Sequence, residues 1–243
     1  MVLVKKLASV VSIVFGVSLV LAAAAAAAGP GGGLGPGVFT FTDKEAVATF
    51  GTLRGSPPGQ QGFSVIVDRG MNAFRTKGSG GARTVANTTI VSLDIFDDAG
   101  NATFGCFVIN PVDFAVSRDL QSASLHTTLT GDEICPGFGS PVTAGAASPF
   151  AGAGGGGAGL PLPITLDIVW NGSGVTSTGA DHSTTRCLDY STDFNSAIRS
   201  SNAGAAGTIS SISGSFQAQM AAVSSTDVTA TIKGIPQNAC ILQ

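Results

Sequence analysis

Past residue 36 the chain alternates apolar and polar side chains with a period of two. Phe63, Val65 and Val67 alternate with Ser64, Ile66 and Asp68, and Val91, Leu93 and Ile95 with Ser92, Asp94 and Phe96. Phe104, Cys106 and Val108 share one face. Ala123, Leu125, Thr127 and Leu129 oppose Ser122, Ser124, His126 and Thr128; Leu166, Ile168 and Trp170 oppose Thr165, Asp167 and Val169. Ile212, Gly214 and Phe216 form one late row, and Val228, Ala230 and Ile232 another. Such runs number about ten, bounded by Gly, Pro, Asn or Asp, which is the signature of strands and turns. No stretch keeps apolar residues at helical spacing for three turns. Gln217–Val223 comes nearest and is too short. One apolar face per strand predicts antiparallel sheets packed face to face. The expected fold is therefore all-β, an antiparallel β-sandwich of about ten strands.

Turn chemistry divides these runs. Asp97-Asp98-Ala99-Gly100-Asn101 reads as a hairpin loop. Asn110-Pro111 ends the strand carrying Cys106, because proline cannot donate into a ladder. Asn171-Gly172 is the strongest short hairpin signal and predicts a chain reversal after Trp170.

The first residues follow another logic. Lys5 and Lys6 precede an apolar run from Leu7 through an alanine tract to Ala28, the layout of a secretory signal peptide over 1–28. A retained membrane anchor is the competing reading, since Leu7–Ala28 is long enough to span a bilayer. Residues 29–36 form a flexible glycine-rich lead. Residues 37–243 are expected to be one sandwich domain. Pro136–Pro163, rich in Gly, Ala and Pro, reads as a disordered insertion at a hairpin rather than an interdomain linker.

Composition narrows the partners. Loss of Lys5 and Lys6 takes the formal net charge from −3 to −5. A charge-poor, mildly acidic chain is a poor match for nucleic acid or for an anionic membrane surface. No cofactor is expected, and no stable membrane span after cleavage. The expected location is secreted, periplasmic or at the cell surface. Cys106, Cys135, Cys187 and Cys240 are the only cysteines, an even count that predicts two disulfides in an exported chain. Cys106–Cys135 with Cys187–Cys240 is the favoured of three connectivities. Each would contribute roughly 3.5–4 kcal/mol in the chain-entropy account. With no C-x-x-C pair and two isolated histidines, no metal site is expected.

Candidate chemistry is sparse. His182 follows Asp181 among hydroxyls in ADHSTTRC, which suggests a cryptic Ser/His/Asp hydrolase site, but no G-x-S-x-G elbow accompanies it. His126 falls on the polar face of its strand. Asp97, Asp98 and Asn101 could offer oxygens to calcium, although acidic hairpin tips are commoner. Arg54, Arg69, Arg75 and Arg83 give the N-terminal part a mildly basic end that reads as solvated surface. Asn87, Asn101 and Asn171 head glycosylation sequons. Trp170 shares a face with Leu166 and Ile168, so it reads as core packing with its N–H on a carbonyl rather than as a stacking platform.

The segments DFAVSRDLQSASLHTTLT (113–130) and LDIVWNGSGVTSTG (166–179), with the later GSF step (214–216), resemble a set of exported bacterial β-sandwich proteins. These share an L-x-x-A-x-L strand, a long variable loop and a W-x-G-x-G strand end, here Leu120, Ala123, Leu125, Trp170, Gly172 and Gly174. The resemblance spans about half the mature chain. It implies secretion and a sandwich, and it carries over no catalytic residue. The expected function is a non-catalytic binding or structural protein of the envelope, whose partner is an envelope or extracellular protein or a glycan. The loops at 54–62, 76–83 and 97–101 are its candidate binding ends. The alternatives are the hydrolase centred on His182 and a passive spacer presenting residues 136–163.

Overall fold

The computed structural model describes residues 36–50, 62–76, 83–96, 102–110, 113–130, 160, 162–187, 190–211 and 215–234. They form β1 (Gly37–Phe50), β2 (Gly62–Thr76), β3 (Arg83–Phe96), β4 (Ala102–Ile109), β5 (Phe114–Val116), β6 (Ser122–Leu129), β7 (Ile164–Arg186), β8 (Tyr190–Ile209), β9 (Ser215–Gln217) and β10 (Met220–Gly234). No α-helix occurs among them. Residues 1–28, expected to be a signal peptide, residues 29–35 of the glycine-rich lead and most of the 136–163 segment lie outside the described residues.

All pairings are antiparallel, and the strands form one ladder in the order β4-β3-β2-β1-β10-β8-β7-β6-β5. Short β9 extends the line of β10 along β8. The ladder is a curled sheet whose two wings share a core. Phe63, Val65, Val67, Val91, Leu93 and Phe107 from β2–β4 cluster with Leu125, Leu129, Ile164, Leu166, Ile168 and Trp170 from β6 and β7. A ring stack of Phe50, Phe63 and Phe216 closes one end, with Phe63 edge-on to Phe216 at 4.4 Å. Leu129 pairs with Ile164, so the residues between them connect two neighbouring strands of one sheet.

The buried face changes part-way along the strands. In β1, Gly37, Phe39, Phe41 and Asp43 are buried, then Ala46 and Ala48. Successive side chains point to opposite faces, so this step from odd to even moves burial across the sheet. Ala46 and Ala48 belong to the main core. Phe39 and Phe41 pack with Ala230, Phe194 and Val228 in a second cluster on the reverse face. Their register partners agree, because Phe39 is opposite Ala230 and Phe41 opposite Val228, with Ala230 next to Phe194. Gly70 makes room for the second cluster: a Cβ there would sit 3.1 Å from the Phe41 ring.

Two expectations are corrected here. Asn171-Gly172 does not turn the chain. β7 runs on to Arg186, and the two residues open a bulge between Gly172 and Thr176 where β7 carries two more residues than β8. The pairing with β8 resumes beyond, so the local turn preference yields to the ladder. In β4 the core side is carried by Phe107 and Ile109, while Phe104 is exposed.

Gly207 illustrates how tightly the ladder is drawn. It lies between Ile168 of β7 and Phe216 of β9, and a Cβ there would strike the carbonyl oxygen of Asp167. Backbone cannot move aside as a side chain can. Gly207→Ala is expected to cost about 3 kcal/mol of stability. Gly179→Ala, in open space, is expected to be neutral or slightly stabilising. Urea unfolding of both variants checks the contrast, and equal effects would refute it.

Candidate functional site

Trp170 is fully buried and its indole Nε1 donates to the Val47 carbonyl at 2.9 Å. That bond ties β7 to β1 across the core, and neither ring face is open to a ligand. The residues around it form a local lock. Ala123 pairs with Trp170. Leu120 is buried with φ 63°. The Gly172 N–H donates to the Gln121 carbonyl at 2.9 Å, and the Gly174 N–H to Gln121 Oε1 at 2.7 Å. Gly174 has φ 81°, the left-handed region that glycine enters without strain. A Cβ on Gly172 would meet Gln121 and the Leu120 carbonyl. Leu120, Ala123, Trp170, Gly172 and Gly174 thus meet as packing and turn positions beside the bulge, while Leu125 packs in the core opposite Ile168.

His182 and Asp181 are not brought together. Neighbours in a strand face opposite ways, and His182 Nε2 lies 2.9 Å from Asp193 Oδ1 instead. Asn195 donates to the same Asp193 oxygen. Both His182 and Asp193 are more than half exposed, so this is a solvated pair on a sheet surface. His126 stands 3.8 Å from Asp167, also exposed. It borders a shallow open depression with Ile109, Asn110 and Asp113. Among the described residues no group of three His, Cys, Asp or Glu side chains could hold a metal ion. Asp97, Asp98, Asn101, Arg54, Cys135 and Cys240 lie outside the described residues, as do the loops between β1 and β4. The sequons at Asn87 and Asn171 fall on exposed strand positions. Cys106 and Cys187 are not free thiols.

Two features escaped the sequence reading. The first is the arm of β7. From Ser173 to Arg186 every residue is exposed although the strand stays paired with β8. β6 leaves it after Asn171, so among the described residues its outer edge has no partner strand beyond that point.

The second is the gathering of the strand cations on one face. Register places Lys44, Arg69, Arg75, Arg186, Arg199 and Lys233 on the face that carries the main core further along. These are all the strand lysines and arginines with described side chains. Asp43, Glu45, Asp68, Asp94, Asp167 and Asp181 stand on the reverse face, and Asp193 and Asp227 stand on the face of the cations. Asp43 is 8% exposed, with Oδ1 unpartnered. Burial, a hydrogen bond to Asp68 and the charges of Asp68 and Glu45 push its carboxyl up to about 10. Burial alone pushes Asp94 up to about 6. A signal was present in FTFTDKEAVATF, where three charges interrupt an alternating run, at the point where burial changes face.

No family model matches the chain, and neither does a curated protein or a solved structure.

Proposed function

We propose that the chain is an exported, non-catalytic binding protein of the cell envelope, built as a disulfide-braced sandwich-like β-domain. The observation that carries this reading is the sheet that continues past its core. The fourteen residues of β7 from Ser173 to Arg186 are exposed on both faces and, among the described residues, have no partner strand along one edge. Ordering such a segment costs backbone entropy that core burial does not return. Surface of this kind fits work on a partner rather than on the fold.

The paired state of the histidines supports the non-catalytic part. His182 is held by Asp193 on an open surface, with no hydroxyl bonded to it among the described residues. Export is supported by the signal-peptide layout and by the absence of free thiols at Cys106 and Cys187. The pairing Cys106–Cys135 with Cys187–Cys240 completes the reading.

Purified protein from which residues 1–28 are removed is expected to bind reproducibly to a subset of an array of extracellular glycans and matrix proteins. A variant with Val175→Pro and Thr184→Pro, which removes backbone donors from the arm, should lose that binding while retaining cooperative unfolding. No binding anywhere on the array would overturn the reading.

A further inference from the structure

We infer that the row of cations Arg69, Lys44 and Arg199 on the core-side face binds an acidic glycan through its carboxylate or sulfate groups. The inference rests on the binding reading above and names the chemistry of the ligand. Lys44 is directly opposite Arg69 on β2 and opposite Ser225 on β10, and Ser225 is opposite Arg199 on β8. Three cations therefore lie on one line across four adjacent strands, at about 4.8 Å per strand. Like charges directly opposite one another destabilise a ladder. Among the described residues none of the three forms an ion pair.

The row is held in place. Lys44 Nζ donates to Ser225 Oγ at 2.9 Å, and Ser225 is 1% exposed. Arg199 donates to the Arg118 carbonyl at 3.2 Å, which brings the turn after β5 beside the row. Asp227, on this face two residues from Ser225, accepts from Thr42 at 3.0 Å and offsets part of the charge at Lys44. Burial and the neighbouring Arg199 hold the Lys44 ammonium below its ordinary value, against the opposing pull of Asp227 and Asp43. An anion laid along the row would relieve that repulsion through charge-assisted bonds, bidentate at the arginines.

The surroundings select a sugar polymer over a nucleic acid. Thr40, Thr42, Thr229 and Thr231 share this face and offer hydroxyls beside the cations. Among the described side chains of this half of the sheet, Phe39, Phe41 and Phe194 belong to the cluster on the opposite face, and register puts Tyr190 on that face too. Unpaired bases would find no ring to stack on, and base stacking is a main source of single-strand affinity.

The test uses a fluorescent heparin oligosaccharide as the probe, titrated with purified protein at low and high salt. Expected is binding at 50 mM NaCl that weakens at least tenfold at 300 mM, as screened ionic contacts require. The variant Lys44→Gln/Arg69→Gln/Arg199→Gln is expected to lose at least tenfold in affinity, and Asp68→Asn on the other face to lose none. If the triple variant fails to unfold cooperatively, Arg199→Gln alone is read instead and should lose at least threefold. Absent binding at 50 mM NaCl, undiminished binding by the variant, or equal binding of single-stranded DNA of matched charge would overturn the inference. If the array yields a neutral ligand whose binding survives the triple variant, this inference fails and the binding reading stands. If the array yields nothing, both fall.

Discussion

Asp43→Asn is expected to stabilise the protein, most of all above neutral pH. The folded carboxyl titrates near 10 against an ordinary value of 3.8. A folded value raised above the unfolded one means that stability is fully present below pH 3.8 and is lost as pH rises toward about 10. At pH 7 the cost of keeping this group neutral is on the order of 4 kcal/mol. Asparagine keeps the shape and the donor facing Asp68 without the titration. The variant should melt about 10–20 °C higher at pH 8 than the parent, with little difference at pH 3.5. Asp94 works in the same direction over a lower window, between 3.8 and about 6. The parent should therefore be markedly more stable at pH 5 than at pH 9. Melting curves of parent and variant across that range decide the matter. A parent whose melting temperature does not fall with pH, or a variant that gains nothing at pH 8, would refute this account of Asp43.

Trp170→Ala carries the largest expected loss. The side chain is fully buried between β1 and β7, and its removal leaves a cavity that the surrounding ladder cannot close. It also strips the Val47 carbonyl of the indole donor it accepts at 2.9 Å. The two effects together should cost about 4–5 kcal/mol. Trp170→Phe fills most of the volume without the donor and should cost about half as much. Chemical denaturation separates the two. If the two substitutions cost the same, the cavity contributes nothing and the loss lies in the bond to Val47, and if Trp170→Ala is mild, the wings are not joined there.

Much of this was legible in the sequence, and the reason is periodicity. The rows through Phe63, Leu93, Leu125 and Leu166 lie in the core as their alternation implied, because a sheet with one dry face imposes a period of two. What alternation could not show is a change of dry face within one strand. Phe39 and Phe41 obey the same pattern as Ala46 and Ala48, yet they bury on the opposite side. Only the register of β1 with β10 and β2 shows where the shift falls. The Asn-Gly after Trp170 misled for a related reason. A dipeptide reports local turn preference, whereas β8 supplies a ladder that carries β7 beyond it. The charged row was invisible because Arg69, Lys44 and Arg199 are far apart in the chain and become neighbours only through cross-strand pairing. His182 next to Asp181 shows the converse, since adjacent residues in a strand are held apart on opposite faces.

The seam at the middle of the sheet has a kinetic consequence. β1 pairs with β10 from Gly37↔Ile232 to Thr49↔Met220, so the two strands at the centre of the ladder come from opposite ends of the described chain. Each wing can zip as a meander of near neighbours, but the common core needs both wings joined at that seam. Closing it spends loop entropy over nearly the whole chain before any contact repays it. Folding is therefore expected to be slow, with the common core closing only when β10 is available to pair with β1.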